Sequence, residues 1–267
     1  MIFFDTHSHI IPNLDDGPDD ESETLELLKL YQTRNIKKII CTPHIYHGLY
    51  ENSKDSILAK FKILKKLIRD NNIEIEVYPA SEVMAYIGLE KDLFSDKILT
   101  VNDEKKFVFI EFPLTGYPAF VEDMVFKVQV AGLIPILSHP ERYAAIVKNP
   151  LKIFDYLDRE ILIQMNSGSI TGKFGKNVLK TAEFILKHKL FHFVGTDTHS
   201  ISSRRPDLPE AYEKCKTYLN EEELKIIFKD NPEALISNER IQYLEPIPYE
   251  SQEKKIFGFF KKIFNSD

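Results

Sequence analysis

The first twenty residues read MIFFDTHSHIIPNLDDGPDD. Two imidazoles, His7 and His9, follow an acid, Asp5, at alternate positions, and the acidic pair Asp15 and Asp16 precedes a glycine and a proline. Alternate side chains of an extended segment point the same way, so His7 and His9 can grip one cation together. The pattern recurs along the chain. Short apolar runs end in groups able to bind metal: KKIICTPH at His44, EIEVYPASE at Glu82, KFVFIEF at Glu111, LIPILSH at His139, ILIQMN at Asn166, and FHFVGTDTHS at Asp197 and His199. Any one of these alone reads as a hydrogen-bonded histidine or a salt-bridged acid. Their recurrence at the end of nearly every apolar run does not, because so many carboxylates and imidazoles in one place repel each other unless cations sit among them. Imidazole and carboxylate ligands without thiolate suit Mn, Fe or Zn, and their number exceeds the needs of one ion. Paired ions about 4 Å apart are the usual equipment for hydrolysing phosphate esters.

The elements that must position these groups alternate in type. Each apolar run is continuous, as expected of a strand buried on both faces. Between the runs lie helical patterns, such as Ile57, Phe61, Leu64 and Ile68, or Val178, Ala182, Ile185 and Leu186. Asp19 or Asp20 is suited to cap a helix over ESETLELLKLY, and Gly132 to end one over VFKVQVA. The repeated βα order predicts a parallel sheet with right-handed crossovers, and seven repeats are enough to close a barrel. In such a barrel all C-terminal strand ends open on one face, so residues two hundred positions apart converge. His188 and His192 fall at a helix end and a strand start, on the opposite face, and are assigned no role; His47 reads as solvated. No proline- or glycine-rich linker divides the chain before about residue 240, giving one domain over 1–244 and a linker with a cationic tail over 245–267.

Composition narrows the function classes. A net charge of −6 argues against a nucleic-acid partner. Two cysteines, Cys41 and Cys215, fit a reducing cytoplasm rather than a disulfide scaffold. There is no signal-peptide pattern and no apolar run long enough to span a membrane. The cysteine nucleophile loop of thiol phosphatases, with arginine six residues on, is absent: His47 and Glu221 stand at those positions. NSGSITGKFG lacks the Gly-Lys-Ser/Thr ending of a P-loop and reads as a strand-to-helix turn at the mouth.

The ordered motifs DTHSH, TPH, SE, EF, SHPERY and GTDTHS resemble the polymerase-and-histidinol-phosphatase (PHP) superfamily of metal-dependent phosphoesterases. More narrowly, DTHSHIIPNLDDGP, CTPHIYHG, SHPERY, MNSGSITG and TDTHS resemble its bacterial protein-tyrosine phosphatases of the CpsB/YwqE type, over roughly residues 1–240. The resemblance implies a distorted seven-stranded β/α barrel holding three ions, usually manganese, with Fe or Zn as alternatives. It implies the ligands His7, His9, Asp16, His44, Glu82, Glu111, His139, Asp197 and His199, with Glu111 bridging two ions. Arg142 and Arg204 match the phosphate-binding arginines, though Arg205 follows directly and could take the second part. Catalysis is thereby placed on Glu111, His44, Arg142 and Arg204, with metal-activated water attacking phosphorus. Three divalent ions bring a charge of about +6 against four ligating carboxylates, so the pocket suits a phosphate dianion. The implied substrate is the phosphotyrosine-rich tail of a membrane-bound polysaccharide-export kinase. The alternatives are a histidinol-phosphate or other small-molecule phosphoesterase of the superfamily, or a non-catalytic binding module. Finally, EKKIFGFFKKIFNSD reads as an amphipathic helix over 254–264, able to lie on an anionic membrane surface or to dock on the barrel or a second subunit.

Overall fold

In the computed structural model, which describes residues 2–249, helices alternate with short parallel strands. β1 (Phe3–Ser8), β2 (Ile36–Cys41) and β4 (Glu76–Pro79) form a sheet in the order β1-β2-β4. A second sheet runs β3 (His44–Ile45), β5 (Glu82–Met84), β6 (Phe107–Glu111), β7 (Ile134–Ser138), β8 (Leu162–Asn166) and β9 (Phe193–Gly195). The architecture is α/β with parallel sheets. Instead of the seven-stranded closed ladder expected from sequence, the described residues form nine strands in two sheets, because two apolar runs are interrupted. Pro43, which has no N–H to donate, separates β2 from β3, and Ala80-Ser81 separate β4 from β5. Main-chain bonds cross these breaks: Ala80 N donates to Cys41 O (2.9 Å) and Glu82 N to Pro43 O (3.1 Å). Beyond β9, Asp197 N donates to His7 O (2.8 Å) and His9 N to Thr198 O (2.9 Å), bringing the first and last strands side by side.

Strand periodicity decides what reaches the mouth. On β6, Val108 and Ile110 pack outward into a large core shared with the helices, while Phe107 and Phe109 belong to a smaller inner core. Glu111 continues the inner row. The same period of two carries Tyr78 and Ala80 to Glu82, Ile40 to His44, Leu162 to Gln164 and Asn166, and Phe193 to Asp197. An apolar floor of Phe4, Phe107, Phe109, Ile136 and Phe193 therefore lies beneath a polar top layer, with Phe109 edge-on to His7 at 5.6 Å. The helices close the outer core. Asp20 caps α1 (Glu21–Thr33) by accepting from Ser22 N and Glu23 N, and α2 (Lys54–Asp70) buries Ile57, Phe61 and Leu64.

At the opposite end the chain packs for stability. Ile247 N donates to His188 O (3.0 Å), so the beginning of the expected linker lies against the helix Lys176–His188; the amphipathic segment 254–264 lies outside the described residues. A cleft of about 690 Å³ on this face is lined by Lys106, Ile134, Leu162, Arg240 and Tyr243, among others, and by none of the candidate ligands.

His192 is buried here, and its Nδ1 accepts from Ile163 N at 2.9 Å. Burial pushes its pKa down to about 3. The unfolded chain takes up a proton below about pH 6.5 that the folded chain refuses, so this stability is full above that pH and is lost as pH falls toward 3. Urea melts should show a loss of about 3 kcal/mol from this group between pH 7 and pH 4. In His192→Gln the stability profile should be flatter over that interval; an equally steep one would assign the acid sensitivity elsewhere.

Candidate metal centre

Nine residues converge at the mouth, all in position to bind cations. His9, Asp16, His44 and His199 form one group whose ligand atoms lie within 4.8 Å of one another; so do His7, Glu82 and His139, then His7, His9 and Asp197, and finally His44, Glu82 and Glu111. These nine are the ones named from the sequence. The groups overlap, so they make a single cluster. The Nε2 atoms of His7, in β1, and His9, just past its end, are 3.1 Å apart, alternate residues aimed at one point. Glu82 Oε2 lies 3.3 Å from His7 Nε2, 3.5 Å from His9 Nε2 and 3.2 Å from His44 Nδ1, while its Oε1 lies 3.2 Å from His139 Nε2. Glu111 reaches toward His139 with one oxygen (3.6 Å) and His44 with the other (3.9 Å). Two members sit in the left-handed backbone region, His139 at φ 35° and Asp197 at φ 54°, a conformation that L residues hold only where surroundings enforce it.

The donor set fits divalent cations. Both oxygens of Glu82, Oδ1 of Asp197, Nδ1 of His44 and Nε2 of His199 are buried without a hydrogen-bond partner, and all face the cluster. Leaving buried charged groups unsatisfied is costly, so their shared direction calls for a positive occupant. Electrostatics agrees. Burial, together with the charges of Glu82 and Asp197, holds the Glu111 carboxyl well above its usual range. The chain's own cations thus do not compensate all four carboxylates.

Several supports were not legible as ligands in the sequence. Asp15 accepts from His9 Nδ1 (2.7 Å), from His44 N (2.8 Å) and from Gly17 N (3.0 Å). Its carboxylate fixes the His9 tautomer, leaving Nε2 free to face the cluster. Gly17 is required here: a Cβ would come within 2.0 Å of His9 O. Thus in DDG the first aspartate orients, the second faces the imidazoles, and the glycine lets the turn pass under His9. Gln164 Oε1 does for His7 Nδ1 (2.9 Å) what Asp15 does for His9. Gly195 lies opposite, where a Cβ would meet His7 Cβ at 2.5 Å. Asp5 is no ligand: it accepts from Tyr31 Oη (2.7 Å) and Thr196 N (2.8 Å), tying α1 to the seam between first and last strands. Asn166 spends its side-chain amide on a cluster member, donating to Asp197 Oδ2 (2.7 Å). Glu141, buried, accepts from Asn166 N, and burial pushes its pKa up to about 7.

The arginines separate. Arg142 Nη1 (2.9 Å) and Arg204 Nη2 (2.6 Å) converge with Asn166 on Oδ2 of Asp197, leaving Oδ1 turned to the imidazoles. Arg142 also lies 4.4 Å over the Phe174 ring, within NSGSITGKFG. Arg205 is exposed and makes no bond to the cluster. The structure therefore brings Arg204, not its neighbour, to the site.

Comparison with known proteins agrees with this geometry. Residues 3–237 match the family model described as capsular polysaccharide synthesis, CpsB/CapC. The chain belongs to the CpsB/CapC family. It is 32% identical to the tyrosine-protein phosphatase YwqE of Bacillus subtilis, over 96% of this chain and 99% of that one. It is equally identical to the putative tyrosine-protein phosphatase CapC of Staphylococcus aureus, over 95% and 98%. A crystal structure from work on YwqE and the CpsB of Streptococcus pneumoniae, described as unique metal-dependent tyrosine phosphatases, superposes with a TM-score of 0.87 at 30% identity, covering 92% of this chain and 99% of that one.

Family membership makes the role of Asp15 open to direct test. Asp15→Ala should weaken Mn²⁺ binding to the metal-free protein by about 10- to 100-fold, measured by isothermal titration, with circular dichroism unchanged. Wild-type affinity would mean that His9 is oriented without it.

Proposed function

We propose that this chain is a metal-dependent protein-tyrosine phosphatase that hydrolyses phosphotyrosine in the tail of a bacterial polysaccharide-export tyrosine kinase. The observation that carries the reading is the recessed cluster of unpartnered carboxylate and imidazole atoms with two guanidinium groups beside it. His7, His9, Asp16, His44, Glu82, Glu111, His139, Asp197 and His199 would hold the ions, three of them and manganese by family analogy. Glu82 and Glu111 each face imidazoles with both oxygens, so both would serve as ligands in the middle of the cluster. We also read the two sheets as one distorted barrel, on the strength of the main-chain bonds across their seams.

Bound there, divalent ions polarise phosphoryl oxygens and make water nucleophilic near neutral pH. The chain's own residues do the rest. Arg142 and Arg204 bind phosphate oxygens; their present partner, Asp197, keeps both heads at the mouth. Phe174 supports the Arg142 guanidinium from below. The reaction joins a water oxygen to phosphorus as the bond to the tyrosine oxygen breaks, and the phenol leaves with a proton. A thiol route has nothing to work with: Cys41 and Cys215 are buried, and burial raises both thiols far above the range of a nucleophile.

Three outcomes test this reading. EDTA should abolish turnover of a phosphotyrosyl peptide and Mn²⁺ restore it, whereas Cys41→Ser should keep near-wild-type turnover; a dead Cys41→Ser protein that still folds would refute it. Arg142→Ala should leave metal content unchanged by elemental analysis while raising KM or lowering kcat about 10- to 100-fold, the loss of one charge-assisted pair. Loss of metal from that variant would make Arg142 part of the ion site instead. Because the side chains of His7, His9 and Glu82 are fully buried, the longer phosphotyrosine should be turned over in preference to phosphoserine on matched peptides.

A further inference from the structure

Among the described residues, exposed large apolar side chains fall into those at the mouth and those elsewhere, the latter being Ile2, Phe94, Phe126, Val130, Tyr243, Ile247 and Tyr249. Tyr46, Leu49, Ile87, Leu114 and Ile201 are all exposed, the tips Leu49 and Ile87 to 61% and 81%. Each stands two to five residues beyond a candidate ligand: Tyr46 and Leu49 after His44, Ile87 after Glu82, Leu114 after Glu111, Ile201 after His199. All five therefore sit on the loops that leave the C-terminal strand ends, around the mouth.

The loops holding them are built onto the site. Tyr46 and Tyr50 exchange main-chain bonds (2.9 and 2.7 Å), making a tight turn with Leu49 at its tip, and the Tyr50 ring lies flat on His44 at 5.7 Å. His47 packs edge-on against Tyr86 at 4.4 Å, joining this turn to the loop of Ile87. Leu114 O accepts from Ala144 N, two residues past Arg142. His199 N donates to Arg204 O (2.9 Å), which closes the loop carrying Ile201. Scattered exposed apolar residues are ordinary, but five on four of the loops around one polar pit are a feature to explain.

We propose that these five residues form a docking collar for the substrate peptide, selecting segments whose side chains flanking the phosphotyrosine are aromatic or aliphatic. The proposal rests on the phosphatase reading and adds the sequence preference. Continuity with the site argues for it, since a peptide whose phosphate reaches the arginines must lay its neighbouring residues on these loops. Charge argues the same way. Among the described residues of these loops Glu51 is bonded to His47, and on the next loop Lys173 is bonded to Asp207. Arg205, exposed on the loop of Ile201, is a single cation and makes no basic ring of the kind that attracts acidic flanks or anionic lipid.

The test uses the full-length, Mn²⁺-loaded protein and three phosphotyrosyl peptides with Phe/Leu, Gly/Ser or Asp/Glu flanks. Wild type should show a KM about tenfold lower for the Phe/Leu peptide than for the Gly/Ser peptide. A triple variant, Leu49→Ser with Ile87→Ser and Ile201→Ser, should lose that ratio. Its loss in kcat/KM should be at least fivefold greater for the Phe/Leu peptide than for p-nitrophenyl phosphate, which has no flanks. Equal KM for all peptides in wild type, or an undiminished preference in the variant, overturns the collar. So does wild-type dimerisation in sedimentation that the triple variant abolishes while its turnover of every substrate rises, for the collar would then be a self-association surface. If neither p-nitrophenyl phosphate nor any peptide is hydrolysed, the phosphatase reading itself has failed, a separate result.

Discussion

The constraint on which this structure depends is uncompensated negative charge at one end of the strands. Four carboxylates and five imidazoles share a pit in which most ligand atoms are shielded from water. Without cations the chain can only offset this internally. Burial opposes ionisation of Asp197, but Arg204, His199, His7 and His139 nonetheless hold it well below the carboxylate range. Glu111 is driven the other way by burial and by its anionic neighbours. A core that kept such conflict for stability alone would be better filled with apolar groups. The cluster is instead arranged for occupants of opposite charge, and the apolar floor below it excludes water from that side.

The same strands make both layers, which explains how much of the site was legible in sequence. A group at the end of an apolar run reaches the mouth because the fold is parallel, and whether it faces inward follows from a period of two counted from the buried residues before it. Applied to Phe107-Phe109-Glu111 or Tyr78-Ala80-Glu82, that count needs no structure. Applied to Leu162-Gln164-Asn166 it also marks Gln164, an uncharged residue of no obvious ligand type, which proves to hold His7. Parity fails where the backbone is irregular. The pairing of β1 with β2 shifts register between Asp5 and Ser8, and His139 and Asp197 reach the cluster through left-handed backbone. There, residue type and family motif were the guides, not spacing.

What sequence left undetermined was mostly which of two adjacent like residues does which task. Asp15 and Asp16 are chemically identical, and only the turn that Gly17 permits puts one under His9 and the other beside His199. Arg204 and Arg205 differ only in direction, set by the bonds that close the loop after His199. The number of strands was misjudged for a similarly local reason. A proline and a two-residue interruption split two runs that look continuous, and the chain bends there from one sheet into the other.

That bend has a consequence for the chemistry. His44 and Glu82 are paired across β3 and β5 immediately after the two interruptions, so both enter the second sheet, whose later strands carry Glu111, Asn166 and the approach to His139 and Asp197. His7 and His9 belong to the first strand of the other sheet and its extension, bonded to the chain past β9. The cluster thus straddles both sheets, with Glu82 in contact range of imidazoles from each. Cations bound among these residues would cross-link the two sheets at the mouth, where main-chain pairing is most interrupted. The ligands that serve the chemistry would then also complete the fold, since binding to the folded arrangement alone stabilises it by mass action.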